Sequence, residues 1–148
     1  MDTNFWQDKL NSKKVIKETF SGDVLSSIGG FGSMYSLKNL LKDYDEPIMV
    51  QSIDGVGTKT IVARKMRKFD TIGIDLLSAA ANDIIVMGAK PLTFLDYIAN
   101  DKLNPEIIEQ IVTGMAKACK ETGVCLVGGD TAEMPDTYLP GEQDLVGV

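Results

Sequence analysis

The chain has 148 residues, of which 44% are hydrophobic and 24% are charged. That length suits one compact domain rather than two, and the composition is that of a globular protein. The formal net charge of -6 argues against a nonspecific binder of nucleic acid or of anionic membranes. The chain contains no histidine, which excludes a Ser-His-Asp triad, a Cys-His pair and a histidine-ligated zinc site built from it.

The two cysteines and the N-terminal residues indicate in which cellular compartment the protein is expected. Cys119 and Cys125 form neither a disulfide framework nor a metal-finger spacing, and small core residues are the better interpretation than nucleophiles. Residues 1–4 do not provide a basic region before an apolar stretch, and no apolar run approaches the roughly 20 residues that span a bilayer. We therefore expect a cytoplasmic protein without a signal peptide or a membrane span.

The N-terminal half begins with a polar, lysine-rich segment over 1–20, in which we expect a short helix over about 8–18. The main domain is expected over 21–148. Its first part contains a Gly/Ser loop over 26–36 and an apolar strand over 47–53, bounded by Asp54-Gly55. A helix with a basic outer face is predicted over 60–68.

The C-terminal half alternates helices with strands. A helix from Asp75 to about 87 is apolar nearly all round and is predicted to be buried, with Gly88 ending it. A strand over 91–99 precedes a helix that starts at Asn104-Pro105-Glu106 and ends at Gly123. A short strand over 124–127 leads into a loop, and a strand begins at about 144. This order predicts a mixed α+β domain or βαβ units, and the stop within a strand suggests a fragment of a longer protein.

The strongest local motif is Asp54-Gly55-Val56-Gly57-Thr58-Lys59, between a strand and a helix. Its glycines allow the backbone to approach an anion, and amides at the helix start can point at phosphate oxygens. Thr58 and Lys59 add a hydroxyl and a positive charge. The alternative is a tight strand-to-helix turn with a capping Asp. The Gly29-Gly30-Phe31-Gly32 run is a weaker signal, for which a flexible surface loop is the simpler interpretation.

Acidic residues at element ends suggest a metal site. Asp83 follows Asn82 in an apolar helix, where a carboxylate is costly unless it is paired or binds a metal. It could pair with Lys90 or Arg64, or it could bind Mg²⁺, which takes one or two carboxylates together with substrate phosphates. The run over 128–135 resembles a second phosphate or metal loop. We predict that four carboxylates converge on one cation: Asp54, Asp83, Asp130 and Glu133.

In this order, these motifs resemble the phosphoribosylformylglycinamidine cyclo-ligase family, also called aminoimidazole ribonucleotide synthetases, which act in purine biosynthesis. The Asp-Gly-x-Gly-Thr-Lys and Asn-Asp elements occur across a wider ATP-binding superfamily, whereas two other runs point to the cyclo-ligases. The matching stretches are Gly-Gly-Phe-Gly at 29–32, Asp-Gly-Val-Gly-Thr-Lys at 54–59, the run over 70–76, Asn82-Asp83, the run over 87–97 with Phe-Leu-Asp-Tyr, and Gly-Gly-Asp-Thr-Ala-Glu-Met-Pro at 128–135.

The resemblance implies an ATP-binding N-terminal domain with a mixed sheet and helices on one face. That sheet pairs with a second subunit into a dimer-spanning barrel, and a C-terminal domain completes the enzyme. ATP with Mg²⁺ drives ring closure of formylglycinamidine ribonucleotide to aminoimidazole ribonucleotide. Lys59 and Asp83 are implied as catalytic residues. The implied nucleotide-binding residues are Gly30, Phe31, Gly32, Gly55, Gly57, Thr58, Lys59 and Thr131, and the implied metal ligands are Asp54, Asp83, Asp130 and Glu133.

The sequence departs from the family pattern at two positions, and two alternative functions remain open. The family usually has Glu at the position of Asp130 and His near the position of Leu139. The C-terminal half of such an enzyme is not in this chain, so we expect nucleotide binding without turnover. The alternatives are a non-catalytic dimerising module and another ATP-using enzyme of the superfamily, such as a small-molecule kinase.

Overall fold

The structure, a computed structural model, describes residues 11–148. Helix α1 covers 11–17 of this range, and the expected helix is confirmed there, whereas 8–10 lie outside the described residues. The remaining elements are a 3-10 helix (Leu40–Asp43), β1 (Asp54–Gly55), α2 (Lys59–Met66), α3 (Asp70–Val86), β2 (Thr93–Asn100), α4 (Pro105–Thr122), β3 (Cys125–Glu133) and β4 (Gln143–Gly147).

The four strands form one mixed sheet in the order β1-β4-β2-β3. Strands β2 and β3 are parallel and are connected through α4, while β4 is antiparallel to both β2 and β1. Helices α3 and α4 cover one face of the sheet, and their apolar side chains form the core with it. The core includes Leu76, Phe94, Ile98, Met115, Leu126 and Leu145. The predicted α+β class and mixed sheet are therefore confirmed.

Helix α4 has the ends that its sequence predicts. The Asn104 side-chain oxygen accepts hydrogen bonds from the backbone N–H of Glu106 at 3.0 Å and of Ile107 at 3.3 Å. Gly123 ends the helix with a φ of 71°, in the left-handed region. Both signals are local in sequence, so they act whatever packs against the helix.

Helices α3 and α4 approach each other through two glycines. A Cβ on Gly73 would collide with the Ile111 carbonyl oxygen, and one on Gly114 would collide with that of Asp70. The two backbones are therefore in direct contact, and no side chain fits between them at these points.

Helix α3 differs from its prediction at both ends. It begins at Asp70, five residues before the predicted start, so Ile72 and Gly73 join its buried face. Its C-terminal end is exposed, with Val86 80% accessible. The prediction of a helix buried nearly all round is therefore wrong for this end, because the sheet and α4 cover only the first part of α3.

Two predicted strands also differ from the structure. Residues 47–53 form no strand, and Ile48 there is 87% exposed. Only the two residues of β1 pair with β4, so within the described part of the chain the apolar run before them has no partner strand. Strand β3 is longer than predicted. It continues to Glu133 because β2 pairs with it along its whole length, so most of the predicted loop at 128–135 is strand.

Candidate functional site

The Asp54–Lys59 motif lies where the sequence predicts, between a strand and a helix. Gly57 has a φ of 53°. A Cβ on Gly55 would lie 2.9 Å from the Leu145 carbonyl oxygen of β4. Val56 anchors the loop in the core, whereas Gly57 and Thr58 are exposed. The loop therefore presents its backbone to solvent at the start of α2, as an anion-binding loop would.

Thr58 and Lys59 carry the polar groups of this loop. Thr58 is the N-cap residue of α2, and its side chain makes no capping hydrogen bond, so its hydroxyl stays available for a ligand. The Lys59 ammonium lies 3.6 Å from the Asp75 carboxylate of α3, and the two side chains are 60% and 47% exposed. An ion pair this accessible to water is weak, and an arriving phosphate could replace Asp75 as the partner of Lys59.

Asp83 lies beside the chain segment that leads into this loop. The Ser52 hydroxyl donates a hydrogen bond of 2.9 Å to the Asp83 carboxylate, although the two residues are 31 positions apart. Asp54 follows Ser52 by two residues, and its carboxylate accepts the Gly55 N–H at 2.7 Å. The structure thus gathers Asp54, Ser52 and Asp83 at one edge of the sheet.

The alternative partners considered for Asp83 are not used. Arg64 instead lies 3.6 Å from the Glu142 carboxylate. Among the described residues, no salt bridge joins Asp83 to Arg64 or to Lys90. Asp83 is exposed rather than buried, so it needs no counter-charge to offset desolvation.

Asp130 and Glu133 lie elsewhere. Both are in β3, three strand spacings from β1, or roughly 14 Å across the sheet. Glu133 pairs with Asn100 at the end of β2 and accepts the Leu103 N–H at 2.7 Å. Within residues 11–148, no three acidic or cysteine side chains could hold one metal ion. The predicted convergence of four carboxylates therefore does not occur within one subunit, because β4 and β2 separate the two pairs.

The remaining predicted nucleotide residues are not joined to the loop by any described hydrogen bond. Gly30, Phe31 and Gly32 lie in an exposed loop, closed at its base by a 2.9 Å bond from the Met34 N–H to the Ser26 hydroxyl. Thr131 is exposed on β3, opposite Ile98. Within one subunit, Thr131 therefore lies three strands from β1, and no described hydrogen bond joins Gly30, Phe31 or Gly32 to the Gly55–Lys59 loop.

Asp96 is a carboxylate that the sequence analysis did not single out. It lies on β2 between Phe94 and Ile98, whose side chains are in the core. Burial raises the pKa of the Asp96 carboxyl to about 7, and the charge of Asp130 adds to the rise. A side chain at Gly129 would collide with the Asp96 carboxylate. The sequence pattern Phe-x-Asp-x-Ile could have indicated this position of Asp96, because alternate residues of a strand lie on the same face and Phe94 and Ile98 are apolar.

The two cysteines are buried and unpaired, as the packing interpretation requires. Burial raises the pKa of the Cys119 thiol to about 12, so the thiolate that a nucleophile needs is disfavoured. Within residues 11–148, none of the helices combines the length and the apolar character that crossing a bilayer needs.

The fold and the glycine loop define a family. The chain belongs to the AIR synthase related proteins, whose N-terminal domain model matches residues 40–146.

Two relatives of about 50% identity carry the same enzyme name. The chain is 50% identical over 135 residues to phosphoribosylformylglycinamidine cyclo-ligase of Carboxydothermus hydrogenoformans, with 91% of this chain and 39% of the relative covered. The enzyme of the same name from Alkaliphilus oremlandii is 51% identical over 135 residues, with the same coverage. The chain thus spans about 39% of the length of these relatives.

Solved structures share the fold at lower identity. Escherichia coli HypE superposes with a TM-score of 0.67 at 20% identity, covering 94% of this chain and 41% of HypE. Thiamine-monophosphate kinase from Stenotrophomonas maltophilia superposes with a TM-score of 0.66 at 18% identity, covering 95% and 40%. A HypE structure described as a complex with ATP has a TM-score of 0.53 at 24% identity, covering 74% and 33%. At these identities the likeness concerns the fold alone.

Proposed function

We propose that this chain is the ATP- and Mg²⁺-binding, dimerising part of a phosphoribosylformylglycinamidine cyclo-ligase. The whole enzyme would close the imidazole ring of aminoimidazole ribonucleotide in the cytoplasm during purine biosynthesis. The identity of about 50% to enzymes of that name supports this reaction over a small-molecule kinase. The carrying observation is the 2.9 Å hydrogen bond from Ser52 to Asp83, which places an α3 carboxylate beside the segment entering the glycine loop.

The residues at this edge suit Mg²⁺. Asp54 and Asp83 offer hard carboxylate oxygens, and Mg²⁺ commonly takes one or two carboxylates plus phosphate oxygens and waters. Asp130 and Glu133 could join them only from a second subunit, because of their distance within one chain. Bound Mg²⁺ would neutralise charge on the nucleotide phosphates.

The loop residues would hold the triphosphate. The Gly55–Thr58 backbone lets phosphate oxygens approach, the Thr58 hydroxyl donates to them, and Lys59 exchanges Asp75 for a phosphate. Lys59 and Asp83 are the proposed catalytic residues, and Gly30, Phe31, Gly32 and Thr131 would contact the nucleotide after assembly.

The γ-phosphoryl group would pass to the amide oxygen of formylglycinamidine ribonucleotide. A nitrogen of the substrate then attacks the activated carbon, the ring closes and phosphate leaves. Such chemistry depends on positioning and charge neutralisation, which this histidine-free chain can supply.

We propose that two copies associate through their sheets. The apolar side chains of Ile48, Met49 and Ile53 are exposed next to the short β1 strand, and a second copy would cover them. Sedimentation should then give a dimer. A monomer at tens of micromolar would contradict this part of the proposal.

Isothermal titration with Mg-ATP tests the site. The wild-type chain should bind, and Asp54→Asn and Asp83→Asn should each weaken binding by about tenfold or more through loss of a charged oxygen ligand. Asp43→Asn, an exposed carboxylate in the 3-10 helix, is the matched control and should bind like wild type. Unchanged affinity in both site variants would remove the metal site, and a wild-type chain that does not bind would favour the dimerising-module alternative.

A phosphate-release assay tests the reaction class. Release that depends on formylglycinamidine ribonucleotide should require a protein of the relatives' full length, and this chain alone should bind nucleotide without turnover. Turnover by this chain would refute that expectation. Transfer of the phosphoryl group to a stable acceptor would instead indicate a kinase.

A further inference from the structure

Helix α2 leaves most of its apolar side chains uncovered. Of the apolar residues in this helix, only Ala63 is buried. Val62 is 61% exposed and Met66 is 71% exposed, and the two lie one turn apart on the same side of the helix. Exposed apolar side chains that lie together mark a surface that a further molecule or segment covers.

A groove of about 250 Å³ runs along this side of α2, between α2 and α3. Its apolar lining comes from Val62, Met66 and the buried Ile72 of α3, and its charged groups are Lys59, Lys68 and Asp75. A groove of this kind suits an apolar or aromatic side chain whose neighbours are acidic.

The positive charge of α2 is only partly paired. Residues 59–68 contain five cations and no acidic residue, in a chain of net charge -6. Three of the five pair with carboxylates of α3 or of the segment before β4. Lys65 and Arg67, on either side of Met66 in the sequence, form no salt bridge with any described residue. A partner for this surface should therefore bring two carboxylates.

The chain itself carries a complementary segment at 44–46. Tyr44 is 53% exposed. Asp45 and Glu46 are exposed as well, and neither forms a salt bridge within residues 11–148. Tyrosine is enriched at protein interfaces, and aromatic rings pack favourably on methionine sulfur. An aromatic side chain followed by two carboxylates thus matches Met66 with a cation on either side.

The positions of these two surfaces along the chain favour contact between copies. The association proposed above covers the apolar run over 48–53; residues 44–46 come just before it, and the glycine loop and α2 come just after it. If this run pairs antiparallel with its copy, the segment before it in one chain lies beside the segment after it in the other. Helix α2 has eight residues, so it extends only roughly 12 Å from that point.

We propose that residues 44–46 of a second copy dock on α2. Tyr44 of that copy enters the groove beside Met66, and the two carboxylates that follow it face Lys65 and Arg67. Twofold symmetry forms this contact twice in the dimer. The inference rests on the proposed function for the association of two copies, and it does not depend on nucleotide binding.

Exchange of the charges tests the contact, with the dissociation constant of the dimer measured by sedimentation equilibrium on the 148-residue chain. Lys65→Glu with Arg67→Glu, and separately Asp45→Lys with Glu46→Lys, should each weaken the dimer by about tenfold or more, because like charges then face each other. All four substitutions in one chain should return the affinity to within about threefold of wild type. Lys102→Glu with Lys117→Glu, two exposed lysines elsewhere, is the matched control for the change in net charge.

Tyr44→Ala tests the aromatic anchor separately from the charges. It should weaken the dimer by about tenfold or more, since a tyrosine in a groove is a typical hot spot of an interface. Leu139→Ala removes another exposed apolar side chain and should leave the dimer unchanged.

Three results would overturn the inference: a wild-type chain that stays monomeric at tens of micromolar, reversals on α2 that weaken the dimer no more than the control does, or a fourfold variant that is no tighter than its two parents. All the changed side chains are exposed, so the variants should keep the fold, which circular dichroism checks.

The two proposals can fail separately. If the dimer is insensitive to these charges while Mg-ATP binding depends on Asp83, the docking contact is wrong and the proposed function stands. If the charge exchange restores the dimer while Mg-ATP does not bind, the nucleotide site is wrong and the docking contact stands.

Discussion

The two sides of this domain are built differently. Where α3 crosses α4, Gly73 and Gly114 bring the helix backbones into contact, and the neighbouring apolar side chains of Ile72, Ile111 and Met115 are buried. At the β1 edge, a two-residue strand paired with β4, a loop anchored in the core only by Val56 and the exposed end of α3 are joined by a side-chain hydrogen bond and a solvated ion pair. The first side can maintain the fold, which leaves the second free to carry polar groups that a ligand can rearrange.

The largest effect is expected at the helix crossing. Gly114→Ala places a methyl group against the Asp70 carbonyl, so the helices must separate, and the free energy of unfolding should fall by about 3 kcal/mol. Urea denaturation measures this. Gly22→Ala, at a position with no atom within 4 Å of a new Cβ, should change stability by less than about 0.5 kcal/mol. Equal effects of the two variants would contradict the close approach.

Asp96 should make the stability of the core depend on pH. Burial raises its pKa from 3.8 to about 7, so between these values the folded chain holds a proton that the unfolded chain has lost. Stability should therefore fall as the pH rises from about 4 to 7 and stay low above it. Asp96→Asn should be about 2 kcal/mol more stable than wild type at pH 8, with little difference near pH 4. Parallel curves for the two proteins would show that Asp96 is not the cause.

At the β1 edge, a change should alter binding with little effect on stability. Ser52→Ala removes the hydroxyl that orients Asp83, so we expect Mg-ATP affinity to fall by about threefold while the unfolding midpoint stays within error. Ser78→Ala is the matched control, because Ser78 donates within α3 to the Ile74 carbonyl, away from the site. A loss of stability in Ser52→Ala comparable to that of Gly114→Ala would remove the contrast between the two sides.

The smallest effect concerns Lys59 and Asp75. A double-mutant cycle with Lys59→Met and Asp75→Asn should give a coupling free energy below about 0.5 kcal/mol in unfolding, because both side chains are solvated. The single variants should nevertheless differ in ATP affinity, with Lys59→Met the weaker binder. A coupling well above 1 kcal/mol would mean that this edge is more rigid than its exposure indicates.

Sequence reasoning succeeded where the signal was local. The Asn104 cap, Pro105 at the first turn and Gly123 at the end defined α4, and the glycine motif defined the loop before α2. It failed where pairing mattered, since residues 47–53 have strand composition but no partner, and residues 128–133 have loop composition but pair with β2. For the site, Asp54 and Asp83 were expected to lie close together, and a hydrogen bond brings Asp83 to the segment before Asp54.

By itself, the sequence determined the class of the domain, the ends of α4, the glycine loop and the family, because each depends on neighbouring residues or on motifs in a fixed order. Only the tertiary structure decided that Asp130 and Glu133 lie on another strand from Asp54 and that Asp96 is half-buried between core side chains of β2. Those outcomes depend on the strand order and register, which bring together or separate residues far apart along the chain.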